Sequence, residues 1–319
     1  MQKWMEDRCN LDIDIIALPG WSDATSKISL LIGDETQRPD IIWWWNMEAD
    51  YTKWVDAGLL VDVSPYMKKY TNMVDYYNSV DPGVMFYASG DNGIYRIPGD
   101  VAEPACETLW IRKDWLDNLG LAVPTTLDEL EDCLYKFTFD DPDGNGVKDT
   151  YGLTGDGMGT LRYFFSSTGV SNRYWGKDEE GNWSFGALDD KNIEPLEWLR
   201  KMYEDGSIDP DFGASTWETG LQKFSSNTFG MCVRNADADW INGVATKYYG
   251  AANPDCNPFE RIDVIPALAE AEGETPRMDG YVSCMVATMF SSEIDEEKMD
   301  RFLSYYEYLL SDEGKMLRL

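Results

Sequence analysis

The chain has 319 residues, 58 Asp plus Glu against 27 Lys plus Arg, and no histidine, for a formal net charge of -31. The missing imidazole excludes Ser-His-Asp hydrolysis, Cys-His proteolysis and His-ligated zinc. The acidity disfavours nucleic acid and anionic lipid, both of which are held through Lys and Arg. With 43% hydrophobic residues and 13 tryptophans the chain is folded rather than disordered, and its length predicts two domains.

In chain order, MQKWMEDRCN reads as the tail of an amphipathic helix, followed by a strand over Asp12–Leu18. Ser22 or Asp23 caps a helix with Ala24, Ile28, Leu31 and Ile32 on its apolar face, stopped by Gly33. Pro39–Trp44 reads as a strand buried on both faces. Glu48–Ala57 is a helix with Tyr51, Trp54 and Val55 inward and Gly58 as its stop. Two strand–helix units in succession predict a mainly parallel α/β sheet.

The alternation continues with a strand at Glu107–Arg112, a helix at Lys113–Leu119 stopped by Gly120, and a helix opened by the capping box Thr126-x-x-Glu129. Lys191–Tyr203 is a helix with a stripe at Ile193, Leu196, Leu199 and Tyr203. Phe229–Val233, Ile262–Ile265 and Tyr281–Thr288 read as strands, and Lys298–Leu310 as a strong helix. The final SDEGKMLRL stops inside a helical pattern, so both ends are expected to be cuts. No run approaches the ~18 apolar residues of a membrane span. Cysteines at 9, 106, 133, 232, 256 and 284 lack C-x-x-C spacing and read as small buried hydrophobes.

The most specific local motif is Asp141-Pro142-Asp143-Gly144-Asn145-Gly146-Val147-Lys148-Asp149. Side-chain oxygens fall at loop positions 1, 3, 5 and 9 with Gly at 6, which is how a calcium loop begins. Asp141, Asp143, Asn145 and Asp149 are the candidate side-chain ligands, and Val147 would offer its carbonyl. Position 12 is Gly152 instead of the usual bidentate Glu, so a structural Ca2+ is expected rather than a sensor.

Trp43-Trp44-Trp45 ends a strand and runs into Asn46. Side chains alternate along a strand, so the three cannot share one core, and ligands of open α/β sheets bind beyond strand carboxyl ends. Trp110, Trp175, Trp217, Trp240 and Tyr281 also lie near strand ends or in loops. Aromatic faces suit the C–H faces of sugar rings. No phosphate loop or nucleophile elbow occurs.

Glu107-Thr108-Leu109-Trp110-Ile111-Arg112-Lys113-Asp114-Trp115-Leu116, Val123–Leu130 and DPDGNGVKDTYGL together resemble the extracellular solute-binding proteins of carbohydrate ABC importers, Gram-positive lipoprotein type. Arg38–Trp44 with Trp54-x-x-x-Gly58, Trp198–Pro210 and Ser311–Gly314 extend the resemblance over most of the chain. It implies an α/β fold of two lobes, periplasmic-binding-protein-like (type II), with a ligand cleft between them. The first lobe would be residues 1–110 and 265–310, the second 111–264 and 311–319. The protein would be a monomer that delivers a sugar or oligosaccharide to membrane permease subunits. Its native form would be an extracellular lipoprotein whose signal and lipidation segment lie outside this sequence, with a first strand also missing.

Carried over position by position, Trp44, Trp45 and Asn46 match a loop where an aromatic stacks on sugar. Glu103 or Glu107 matches an acid that meets hydroxyls near the hinge. Arg162 lies in a matching second-lobe loop, and Arg234–Trp240 matches another, in which Asp237 stands where relatives have an aromatic and Trp240 is its replacement. Trp217 and Tyr281 complete the ligand-binding set. Two further readings are a glycoside hydrolase working with two carboxylates and a calcium-stabilised surface carbohydrate-binding protein.

Overall fold

The computed structural model describes residues 2–19, 21–45, 48–80, 89–90, 93–99, 105–167, 175–177, 181–235, 241–278, 280–281 and 286–316. The chain forms two compact units, Met1–Pro104 with Val282–Leu319, and Ala105–Tyr281. These boundaries differ from those expected. Residues 105–110 and 265–281 fall with the second unit, and 311–319 with the first. The C-terminal helix Asp312–Met316 stays with the first because it packs on the helix before it.

In the first unit, the strand Ile41–Trp45 pairs antiparallel with Val286–Phe290, which pairs antiparallel with Ile97–Pro98. The helix Trp21–Gly33 buries Ala24, Ile28, Leu31 and Ile32, the predicted face. Glu48–Asp56 turns Tyr51 and Trp54 inward and ends before Gly58, whose φ of 68° is the left-handed conformation that glycine adopts freely. The helix Glu296–Leu309 is capped by Asp295, whose carboxylate accepts from Glu297 N and Lys298 N, and it buries Met299 and Leu303.

Two expectations fail in this unit. Asp12–Leu18 forms no strand and joins no sheet among the described residues. The strand Ile41–Trp45 is not buried on both faces, since Ile42 is buried while Trp43 is 55% exposed.

The second unit is built on the sheet order Ile262–Val264, Ala105–Arg112, Phe229–Asn235, Tyr151–Thr154, with Gly280–Tyr281 also on Ala105–Arg112. Alternation along the strands splits its core in two. Leu109, Ile111, Met231 and Val233 pack on one face with Trp115, Leu134, Phe137 and Phe164. Trp110 and Cys232 pack on the other with Leu221, Phe224 and Tyr249. Helices therefore cover both faces, as the fully buried Phe229–Arg234 requires. Burial also pushes the thiols of Cys133 and Cys232 up to about 12, so both are inert hydrophobes.

The sheets are not mainly parallel. Tyr151–Thr154 with Phe229–Asn235 is the one parallel ladder between named strands among the described residues. The other partners arrive from distant sequence and run antiparallel, which adjacent strand–helix units do not reveal. The helix Ile193–Glu204 buries Pro195, Leu199 and Met202, leaving Ile193, Leu196 and Tyr203 exposed, so the predicted stripe is rotated. Leu199 belongs to both stripes, and the spacing alone does not choose between them. At the helix Leu127–Phe139, Thr126 caps Glu129 N, but the Glu129 carboxylate reaches Thr125 N at 2.7 Å, one residue before the expected partner.

Candidate functional site

Strand Tyr151–Thr154 and strand Phe229–Asn235 run parallel, so their carboxyl ends open at the same end of the second unit's sheet. This is the end where ligands bind in open α/β sheets. From the first strand the chain passes into the helix Met158–Ser167, which carries Arg162. From the second it passes into residues 236–240, which hold Asp237 and Trp240 and lie outside the described residues. The antiparallel strand Ala105–Arg112 begins here, with half-buried Glu107 opposite Asn235.

On the other face at this end lies Trp217, the first residue of the helix Trp217–Ser225, fixed by a capping box between Thr216 and Thr219. Arg234, only 2% exposed, sends Nη2 to Trp217 O at 2.8 Å and holds its guanidinium 5.1 Å from the Trp217 ring centre. Its Nε has no partner among the described residues. Trp217 also meets Tyr248 edge-on at 5.9 Å. Gly220 lets this helix approach, because a Cβ there would stand 2.9 Å from Gly155 O. Arg234 was expected only as the start of the Arg234–Trp240 loop after the strand; the strand runs on to Asn235, so Arg234 is a buried arginine inside it.

The other candidates are placed unevenly. Trp44 is half-buried against Ile28, Ile32, Ile42 and Met289 in the first unit. Trp110 is fully buried, its Nε1 donating to Asn235 O at 3.2 Å, and is a core residue. Trp45 and Tyr281 lie in strands and Arg162 in a helix, but their side chains, like the whole of Asn46 and Glu103, lie outside the described residues.

The loop Asp141–Asp149 joins the helix Leu127–Phe139 to the strand Tyr151–Thr154. Asp141, Gly144 and Gly146 take φ of 52°, 69° and 77°, which curl the loop on itself. Asn145 N donates to Asp141 Oδ1 at 3.1 Å and to Asp143 Oδ1 at 3.2 Å, and Asn145 Nδ2 donates to Asp143 Oδ2 at 2.8 Å and Asp149 Oδ1 at 3.2 Å. Burial, with the charges of Asp149 and Asp141, raises the Asp143 pKa above the ordinary carboxylate value. Three carboxylates thus gather around Asn145, two of them on its side-chain amide and one on its backbone N–H. Among the described residues no three acidic or cysteine side chains already stand as a metal-holding group. Gly152, the would-be twelfth ligand, is pressed into the core: a Cβ there would meet Ser207 O at 2.8 Å and Leu134 O at 2.9 Å, so no carboxylate can stand at this position.

A family model described as bacterial extracellular solute-binding protein matches residues 2–276. The chain belongs to this family. Its members are solute-binding proteins, not enzymes. This solute-binding protein is 28% identical to lipoprotein LipO of Bacillus subtilis over 84% of the chain and 52% of LipO. It is 26% identical to the fructooligosaccharide ABC transporter substrate-binding protein FusA of Streptococcus pneumoniae over 71% of the chain and 42% of FusA. The chain thus spans about half the length of these curated relatives.

In structure, it matches FusA in complex with kestose at a TM-score of 0.69 with 22% identity, over 96% of this chain and 62% of that one. An EF-hand mutant of FusA with fructo-nystose matches equally. The alginate-binding protein AlgQ2 without calcium ion matches at 0.72 with 15% identity, over 98% and 63%. The fold is therefore the α/β, type II periplasmic-binding-protein-like fold. Among the described residues no helix is long and apolar enough to cross a membrane.

Proposed function

We propose that this chain belongs to the substrate-binding component of a carbohydrate ABC importer, taking up an oligosaccharide outside the cell and presenting it to membrane permease subunits. The observation that supports the reading is that Trp217, Arg234, Glu107 and the helix Met158–Ser167 lie at one strand-carboxyl end of a family member's sheet. Trp217 supplies the stacking face, Arg234 stiffens it from behind, and Glu107 with Arg162 supplies hydroxyl partners. Trp44, Trp45, Asn46, Glu103, Asp237, Trp240 and Tyr281 belong to the same proposal. In its native setting the protein is an extracellular lipoprotein and a monomer.

Calorimetric titration with kestose and longer neutral oligosaccharides tests this. At least one should bind, and Trp217→Ala should weaken it about tenfold or more, or about 1.4 kcal/mol. Steady release of monosaccharide would sink the reading in favour of a hydrolase. Unchanged affinity in Trp217→Ala would move that residue to the core.

The loop Asp141–Asp149 is proposed as a structural calcium site. Its oxygen donors suit a hard cation, and the mutual repulsion of Asp141, Asp143 and Asp149 is what such an ion relieves. Asn145 would have to turn its carbonyl oxygen inward, since its amide nitrogen now faces the carboxylates. A chelator should lower Tm, and Asp143→Ala should make Tm insensitive to calcium. Identical melting with and without calcium in the unmodified protein would reduce the loop to a turn.

A further inference from the structure

The sequence holds three Asn-Gly steps, Asn92–Gly93, Asn145–Gly146 and Asn242–Gly243. In such a step the glycine nitrogen is open to approach, because no Cβ shields it, and it can add to the side-chain amide carbon of the asparagine before it. Asn92 lies outside the described residues. The other two steps stand in opposite backbone settings.

Asn145, Gly146 and Val147 are exposed at the tip of the loop Asp141–Asp149. Val147 N donates to Asn145 Oδ1 at 2.6 Å. This two-residue turn folds the side-chain amide back over the Asn145–Gly146 peptide. The same N–H is aimed at the oxygen that turns negative when Gly146 N adds to Cγ. Asn145 Nδ2 donates to Asp143 Oδ2 at 2.8 Å and to Asp149 Oδ1 at 3.2 Å, which holds the side chain in this one orientation. Gly146 N donates to Asp141 Oδ2 at 2.9 Å, so the N–H that must be given up is already polarised. Gly146 has a φ of 77°, and the place of its missing Cβ is open space, so ring closure meets no neighbour.

Asn242 is equally exposed but lies inside the helix Ile241–Gly250. Helical side chains lean toward the helix N-terminus, which turns the Asn242 amide away from the nitrogen that follows it. The fixed dihedrals of the helix keep it there.

We infer that Asn145–Gly146 is a site of spontaneous covalent self-modification, at which the folded loop closes a succinimide ring that water opens to aspartate or isoaspartate. Gly146 N forms a bond to Asn145 Cγ, and the Cγ–Nδ2 bond breaks. Nδ2 departs as ammonia with the proton that Gly146 N gave up. Water then adds to one ring carbonyl and breaks its bond to the Gly146 nitrogen. Opening at Cγ leaves an ordinary aspartate, and opening at the backbone carbonyl leaves an isoaspartate whose main chain runs through the former side chain. Nothing is oxidised or reduced. Either product replaces the Nδ2 donor by a carboxylate oxygen, so the hydrogen bonds to Asp143 and Asp149 become repulsions between like charges. The loop thereby carries a one-way change of its own charge and shape.

The test is to age the 319-residue protein in mildly alkaline buffer with a chelator, which keeps the loop free of cations. Peptide mapping by mass spectrometry with isoaspartate detection follows each step. In the folded protein Asn145 should convert about tenfold or more faster than Asn242. In urea the two rates should converge, with Asn145 slowed and Asn242 quickened, since neither keeps its backbone setting. Val147→Pro removes the N–H on Asn145 Oδ1 and should slow Asn145 several-fold while Asn242 keeps its rate. Asn145→Gln should leave the loop peptide unconverted. Equal rates at Asn145 and Asn242 in the folded protein overturn the proposal, as does an Asn145 rate that is higher in urea. So does an unchanged Asn145 rate in a Val147→Pro protein that melts cooperatively.

Discussion

Asp114 shows how single side chains set stability in the second unit. It is mostly buried and sits between two guanidinium groups, with Arg112 Nη2 at 2.6 Å and Arg261 Nη1 at 2.8 Å from Oδ2. Burial pushes its carboxyl up, but the hydrogen bonds and charges of Arg112 and Arg261 outweigh this and leave the pKa lowered. Arg112 in turn donates to Asn227 Oδ1 at 2.7 Å, which also accepts from Tyr249 OH at 3.1 Å. Removing the carboxylate strands a buried cation, so Asp114→Asn should cost about 3 kcal/mol at pH 7. A lowered folded pKa gives stability that is present above the ordinary carboxylate value and is lost as pH falls through the folded one. The cost should therefore shrink below about pH 4, where the unfolded chain begins to bind the proton. Denaturant unfolding of both proteins at pH 7 and pH 3 measures this, and an equal difference at the two values would refute it.

At the scale of elements, Gly152 decides what the calcium-like loop can become. The glycine looks like a defect in the loop, since position 12 should be a bidentate Glu. In the fold it is the second residue of a buried strand, where a Cβ collides with two backbone carbonyls that cannot move aside. Gly152→Glu should thus fail to strengthen calcium binding and should lower stability by about 2 kcal/mol or more. Tighter calcium binding with an unchanged Tm would contradict this.

The loop itself was legible because its signal is local: fixed offsets of Asp, Asn and Gly. Helices with one clear stripe and a glycine stop were legible for the same reason, as in Trp21–Gly33 and Lys113–Leu119. Strand pairing was not. Asp12–Leu18 has the composition of a strand, but a strand exists only with a partner, and the parallel reading failed because most partners come from far along the chain. Of the candidate site, the aromatics could be named but not sorted. Trp110 and Trp217 read alike, and only packing makes one the centre of a core and the other the rim of a cation–π pair. Arg234 was named only as the start of a loop, because its contact with Trp217 depends on a helix seventeen residues earlier reaching back to it.

At the scale of the whole molecule, the charge of -31 is a stability term. Like charges at this density repel more in a compact chain than in an expanded one. The opposing attractions are mostly on the surface: Lys3–Asp7, Lys113–Asp117 and Arg200–Glu204 join well-exposed side chains and contribute little. A partly buried pair such as Lys223–Asp209, whose carboxylate is buried, is screened less by salt. Raising NaCl from about 0.05 M to about 0.5 M shortens the screening length from roughly 14 Å to roughly 4 Å, which removes more repulsion than attraction. Tm should therefore climb by several degrees over this range. The proposed calcium site adds a separate test: at matched ionic strength, millimolar CaCl2 should raise Tm beyond MgCl2, because only the larger ion suits a flexible loop of oxygen donors. A Tm that falls with NaCl would show that ion pairs outweigh net repulsion. Equal shifts from calcium and magnesium would leave the Asp141–Asp149 carboxylates as one more part of the general charge rather than a site.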